Sequence, residues 1–179
     1  MEYRALANSL DTVDTEAAYR PGTTLWVPAD EWERFCPATL VSGDDTFGDA
    51  EMVYLYNDEA ATAFGIGEVA MQDTGDYAAG NVLRTTGVIA PRLLKGVAQW
   101  AVAAGSYAWF LKRGVGQVDC DGNVTAGAEF TSDAAGQVTD VVANADAAVD
   151  TKADAFGVAY ANDAGAGTLV TAFVNCPGS

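Results

Sequence analysis

The sequence predicts a mainly β fold: an antiparallel β-roll, barrel or sandwich with few short helices. Three observations predict it. Short runs rich in β-branched and aromatic residues recur along the chain, each closed by Gly, Asn, Asp or Ser. Within these runs the side chains alternate with a period of two. In the segment whose Ala and Leu content would suit a helix, residues 81–114, Gly87, Gly96 and Gly105 recur every nine residues. Each would cost a helix interior about 1 kcal/mol. The chain has 179 residues, half of them apolar, which is enough for one domain with a packed core.

Residues 1–20 are mixed and polar and read as an N-terminal arm. Residues 21–179 read as the β-rich domain, divisible into lobes 21–90 and 91–179. "TTLWVPA" is the first expected strand. In "AEMVYLYND" both alternating faces are apolar, Met52, Tyr54 and Tyr56 on one and Val53 and Leu55 on the other, so this strand is expected to be central. "AATAFGIGEVAM" follows, then the turn-rich "QDTGDYAAGN". In "GVAQWAVAAGSYAWFLKRG", Ala98, Trp100 and Val102 alternate with Val97, Gln99 and Ala101, and Tyr107, Trp109 and Leu111 share a face. "GQVDC", "EFTSD", "GQVTDVV", "AFGVAYAND" and "TLVTAFVN" continue the pattern. "ANADAAVDTKAD" reads as either a short helix or a long loop.

The net charge is −16, which excludes nucleic acid as an expected partner because its phosphates would repel the chain. No window approaches 18 uncharged apolar residues, so no membrane span is expected. No apolar leader opens the sequence, so synthesis in a cytoplasm is the expectation. Cys36, Cys120 and Cys176 are far apart, with no CxxC, and read as isolated buried thiols, with a single bridge between two of them as the alternative. There is no histidine, which removes Ser-His-Asp and Cys-His catalysis and the usual zinc ligand sets. Among 25 acids no pair stands out as a glycosidase pair would. The chain is therefore expected to be no enzyme and to carry neither cofactor nor metal.

Two motif readings fail on spacing. Gly65-x-Gly67-x-x-Ala70 echoes a dinucleotide fingerprint but lacks the strand before it and the helix after it. Asp119, Asp121 and Asn123 alternate like calcium ligands, but a calcium loop starting at Asp119 would put Val124 where glycine is needed and Phe130 where glutamate is. Asp121-Gly122-Asn123 is instead expected to turn between strands, with a second bend at Gly127.

The charge is unevenly spread. Arg84, Arg92, Lys95, Lys112 and Arg113 are five of the nine bases, and no acid lies between Asp76 and Asp119. Residues 77–118 thus carry +5 against −21 elsewhere (−16 less +5). These five are the candidate residues for docking on an acidic partner surface.

Gly96-Val97-Ala98, Gly105, Tyr107, Trp109, Gly114, Gly127, Gly136-Gln137-Val138, Gly157-Val158-Ala159 and Gly167 form a pattern that resembles the head decoration (cement) proteins of tailed bacteriophages. "YRPGTTLWV" and "AEMVYLY" resemble the opening strands of those proteins. The likeness covers about residues 20–175 and is best over 96–175. It implies a β-rich domain on the capsid exterior, with the major capsid protein as partner, clustering at symmetry positions, and no catalytic residue; short strands with exposed edges make a trimer or dimer the expected assembly. The five bases would then meet coat-protein carboxylates. The alternative is a fibre, spike or surface-layer adhesion domain whose Trp26, Trp32 or Trp100 stacks on host glycans.

Overall fold

The computed structural model describes residues 9–38, 47–75, 80–141 and 155–178. The fold is mainly β, as the sequence predicts. Among the described residues ten strands form one sheet: β1 Thr24–Val27, β2 Ala50–Asn57, β3 Val69–Gln72, β4 Asn81–Arg84, β5 Leu94–Ala98, β6 Tyr107–Cys120, β7 Glu129–Ser132, β8 Val138–Asp140, β9 Gly157–Ala159 and β10 Thr168–Asn175. Among the described residues one helix, α1, spans Ala29–Phe35, and a 3-10 turn, Pro91–Leu93, precedes β5. The segment 143–154, left open between helix and loop by its sequence, lies outside the described residues.

The sheet closes on itself twice. β2, β4, β3, β5 and β6 form one five-stranded ring, because β6 pairs with both β5 and β2. β6, β10, β9, β7 and β8 form a second, because β6 also pairs with β8. The 14-residue β6 is the last strand of the first barrel and the first strand of the second. Residues 107–113 face β2, and residues 113–120 face β10. Closure satisfies the backbone of short strands that would otherwise present open edges.

The two barrels repeat one another. In each, the first and third strands pair in parallel and every other pairing is antiparallel. Individual hydrogen bonds recur: Gly67 N–H to Ala98 O matches Gly127 N–H to Ala159 O, and Gly105 N–H to Asn57 O matches Gly167 N–H to Cys120 O. The turn glycines recur with matching positive φ, 83° and 78° at Gly67 and Gly127, 91° and 81° at Gly80 and Gly136. The decoration-protein pattern therefore falls on the turns and walls of both barrels.

The interiors solve one packing problem in two ways. Val53, Leu55, Ala70, Val82, Ala98 and Phe110, from all five strands, fill the first barrel. In the second, register places Phe130 where the first has Ala70, and Ala172 where it has Phe110. The strand that carries the central phenyl ring differs: β6 in the first barrel, where Phe64 lies edge-on to Phe110 at 5.2 Å, and β7 in the second. Gly96 leaves room for Phe110, and Gly157 leaves room for Phe130.

Elements outside the barrels cover their flanks. Residues 9–20 lie along β6: Leu10 is fully buried, and Asp14 and Tyr107 exchange two backbone hydrogen bonds of 2.8 Å. Tyr19, Tyr54 and Trp109 cluster at centroid separations of 5.2–5.3 Å. The Tyr54 hydroxyl donates to Asp14 Oδ2 at 2.6 Å, and burial, with that bond second, pushes its pKa up. α1 sits on the middle of β6, where the buried Trp32 donates from Nε1 to Val115 O at 2.8 Å. β5 ends at Ala98, earlier than the alternation through Val102 suggests, because the buried Gln99 side chain takes over. It accepts from Gln117 N–H at 2.9 Å and donates to Gln117 O at 3.0 Å, as a strand residue would.

Candidate docking site

The first barrel opens at one end into a cleft of about 560 Å³. Val53 and Leu55 of its interior form the floor. Arg20, Lys95 and Lys112 stand at the rim with Thr23, Thr24 and Gln72. Three of nine bases thus converge on one opening of a chain with net charge −16.

Local structure explains each placement. Arg20-Pro21-Gly22-Thr23 has the residue choice of a type II turn, with Pro second and Gly third at φ 87°. Thr23 N–H closes it on Arg20 O at 3.0 Å, and the Thr23 hydroxyl adds a 2.6 Å bond to the same oxygen. Lys95 is an extra residue in β5: Ala70 pairs with Gly96 but Met71 with Leu94. Lys112 is likewise extra in β6, since Glu51 pairs with Arg113 but Met52 with Leu111. Both lysines are bulged, and a bulge re-aims a side chain out of the strand's alternation. Lys112 Nζ lies 2.9 Å from Glu51 Oε1. Burial, and then the Lys112 charge, push the Lys95 pKa down.

The structure brings together two of the five expected docking residues, Lys95 and Lys112, and adds Arg20 from outside the basic segment. Arg92 is exposed on the 3-10 turn, with its carbonyl against Gly178, another cleft residue. Arg113 is exposed one residue beyond Lys112. Arg84 stands apart. It sits at the far end of β4 and pairs with Glu68 at 3.3 Å and Glu59 at 3.7 Å, tying the β2–β3 connection to the barrel. Nothing in the sequence joins Arg20 to Lys95, because only barrel closure makes them neighbours.

Other singled-out residues are structural. Asp121 Oδ1 accepts from Asn123 N–H at 2.9 Å around Gly122, φ 104°, forming a turn after β6. Trp32 is buried, with Trp100 edge-on to it at 6.4 Å. Trp26 is half exposed, its ring N–H bonded to Asp49 at 3.1 Å.

The three cysteines are unpaired. Burial pushes the Cys36 and Cys120 thiols up to about 12, with nearby carboxylates, Asp163 foremost, adding to the effect at Cys120. Burial also raises Cys176. Unfolded thiols ionise near pH ~8.5. Their contribution to stability is therefore full below that value and is lost as pH rises toward about 12. The urea midpoint is expected to fall across this window. At pH ~8, iodoacetamide should label the native chain far more slowly than the urea-unfolded chain; equal rates would refute the thiol assignment.

No family model matches the chain, and no curated protein matches it. Among solved structures, it is similar to the head fibre gp8.5 N base of bacteriophage phi29. The two share 16% identity and align with a TM-score of 0.46, over 69% of this chain and 92% of that one.

Proposed function

We propose that this protein is a structural component of a tailed-phage virion that binds the outer surface of the assembled capsid and stabilises the shell. The observation that carries the reading is the cation-rimmed mouth of the first barrel, a concentrated basic point on a chain of net charge −16. The resemblance of residues 96–175 to head decoration proteins supports it, and the major capsid protein is the proposed partner. The chain acts by binding, not catalysis, and is made in the host cytoplasm before joining the capsid exterior. A protein that binds only the assembled shell stabilises it by mass action, by about 2.7 kcal/mol per site at a free concentration ~100 times Kd.

Co-sedimentation with intact heads of the parent virus tests this, with light scattering on the free chain for the proposed trimer or dimer. Saturable binding at a stoichiometry set by the shell's symmetry positions is the expected result. Failure to bind heads would sink the reading. A second reading, a fibre or spike domain that binds host glycans, is favoured by the half-exposed Trp26. Retention on host cells in place of heads would select it.

A further inference from the structure

The repeated barrel supplies an internal comparison for the mouth of the first. Gly96 of the first barrel matches Gly157 of the second; Phe156 precedes Gly157 and Val174 pairs with it, whereas Lys95, before Gly96, and Lys112 are bulge insertions of the first barrel alone. Phe156 and Val174 are buried, and Phe156 packs edge-on against Phe130 at 5.0 Å. The second copy of this mouth is thus closed by apolar side chains. In the first, two inserted lysines stand over an open cleft. An apolar plug is the arrangement that stability favours. Two lysines in place of an apolar plug, with Lys112 held by Glu51 at 2.9 Å, make this mouth a cationic opening.

The cleft also leads somewhere. β2 has one edge covered by β4 at Tyr56 and Asn57, and by β1 at Ala50–Val53. Thr24, the first residue of β1, lines the cleft. No described strand pairs with the other edge of β1. An extended chain leaving the mouth would therefore meet an open strand edge bearing the exposed Trp26.

We propose that the mouth of the first barrel is a docking site for an extended, acidic segment of a partner protein, whose carboxylates seat among Arg20, Lys95 and Lys112 and whose backbone runs along β1. That the partner is a coat subunit rests on the decoration reading above. Charge complementarity selects an acidic segment, and the length of cleft plus strand edge selects a peptide over a small anion.

The test is titration of the full chain, followed by backbone NMR, with an acetyl-Glu-Val-Glu-Val-Glu-amide probe, its Lys-for-Glu counterpart and sodium acetate. The Glu peptide is expected to saturate one site, shifting amides of Gly22, Thr24 and Gly96, with affinity falling as salt rises. Lys95→Met and Lys112→Met should each weaken it about tenfold. Lys95→Phe, which puts a phenyl ring before Gly96 as Phe156 stands before Gly157, should abolish it; thermal melts of every variant confirm folding. Unchanged affinity in both Met variants, or equal binding of the Lys peptide, overturns the site. Saturation by acetate at the peptide's own concentration overturns the peptide assignment in favour of a small-anion site. The titration uses no capsid, so the two readings fail separately. A chain that binds heads but not the peptide loses the docking site and keeps the decoration role. One that binds the peptide but not heads keeps the site and loses the coat subunit as its occupant.

Discussion

Replacing Gly157 with Ala is expected to destabilise the protein by about 3 kcal/mol or more. A Cβ at that position would run into the tip of the Phe130 ring and into the backbone carbonyl of Phe173. The ring is held edge-on by Phe156, and the carbonyl belongs to β10, so neither can move away cheaply. For a chain of this length the loss corresponds to a fall in Tm of about 6–12 °C. The same change at Gly96 is expected to cost less. There the new Cβ meets Phe110 Cβ at 2.9 Å and Leu111 O at 3.2 Å, longer approaches than at Gly157, although Phe110 Cβ is fixed to the β6 backbone and must still shift. Shortening the ring with Phe130→Leu should restore only part of the stability lost in Gly157→Ala, because the Phe173 carbonyl stays. Thermal melts of the three variants decide the matter. Equal losses at Gly96 and Gly157 would show that the ring placement inferred for the second barrel is wrong.

Trp32→Ala is expected to cost about 3–5 kcal/mol. Trp32 is the one fully buried side chain of α1, and its indole is what holds that helix on β6. The change opens a cavity beneath the helix and removes a donor from the Val115 carbonyl, leaving it the weak Cys36 thiol contact at 3.5 Å. Trp32→Phe keeps most of the apolar burial and loses the N–H, so it should cost about 1–2 kcal/mol. Urea denaturation of both variants separates packing from hydrogen bonding. A Phe variant as unstable as the Ala variant would make the hydrogen bond dominant and refute the cavity account.

Much of the local structure was legible in the sequence. The runs that alternate became β1, β2, β5, β6 and β10, and the Ala-rich stretch 81–114 became strands, because its recurring glycines lie at turns or in a wall packed against a ring. The centrality of β2 was legible too: both its faces are apolar, and it pairs with three strands. α1 carried signals that could be read, with Pro28 before it, Asp30 and Glu31 in its first turn and Arg34 in its last. The early end of β5 was not legible, since Gln99 imitates the backbone with its side chain and leaves the alternation unbroken. The internal repeat left a trace in the two Gly-Val-Ala triplets at 96–98 and 157–159, too short to stand out amid turn signals that any β-roll needs.

The candidate site divides in the same way. The excess of cations in residues 77–118 is a property of composition, and the sequence alone determined it, along with the β class, the turn positions and the absence of histidine chemistry. Which of those cations share a surface was decided by the tertiary structure. A bulge is a slip between two strands, so it exists only once they are paired; it took bulges against β3 and β2 to aim Lys95 and Lys112 at one opening. Arg20 joined them because the barrel closes next to a turn far away in sequence, while Arg84 was drawn off to Glu59 and Glu68 at the other end of β4. Alternation and turn preference act between neighbours along the chain and are written there. Ring closure, register slips and the convergence of charges depend on contacts between distant residues, and only the assembled fold supplies those.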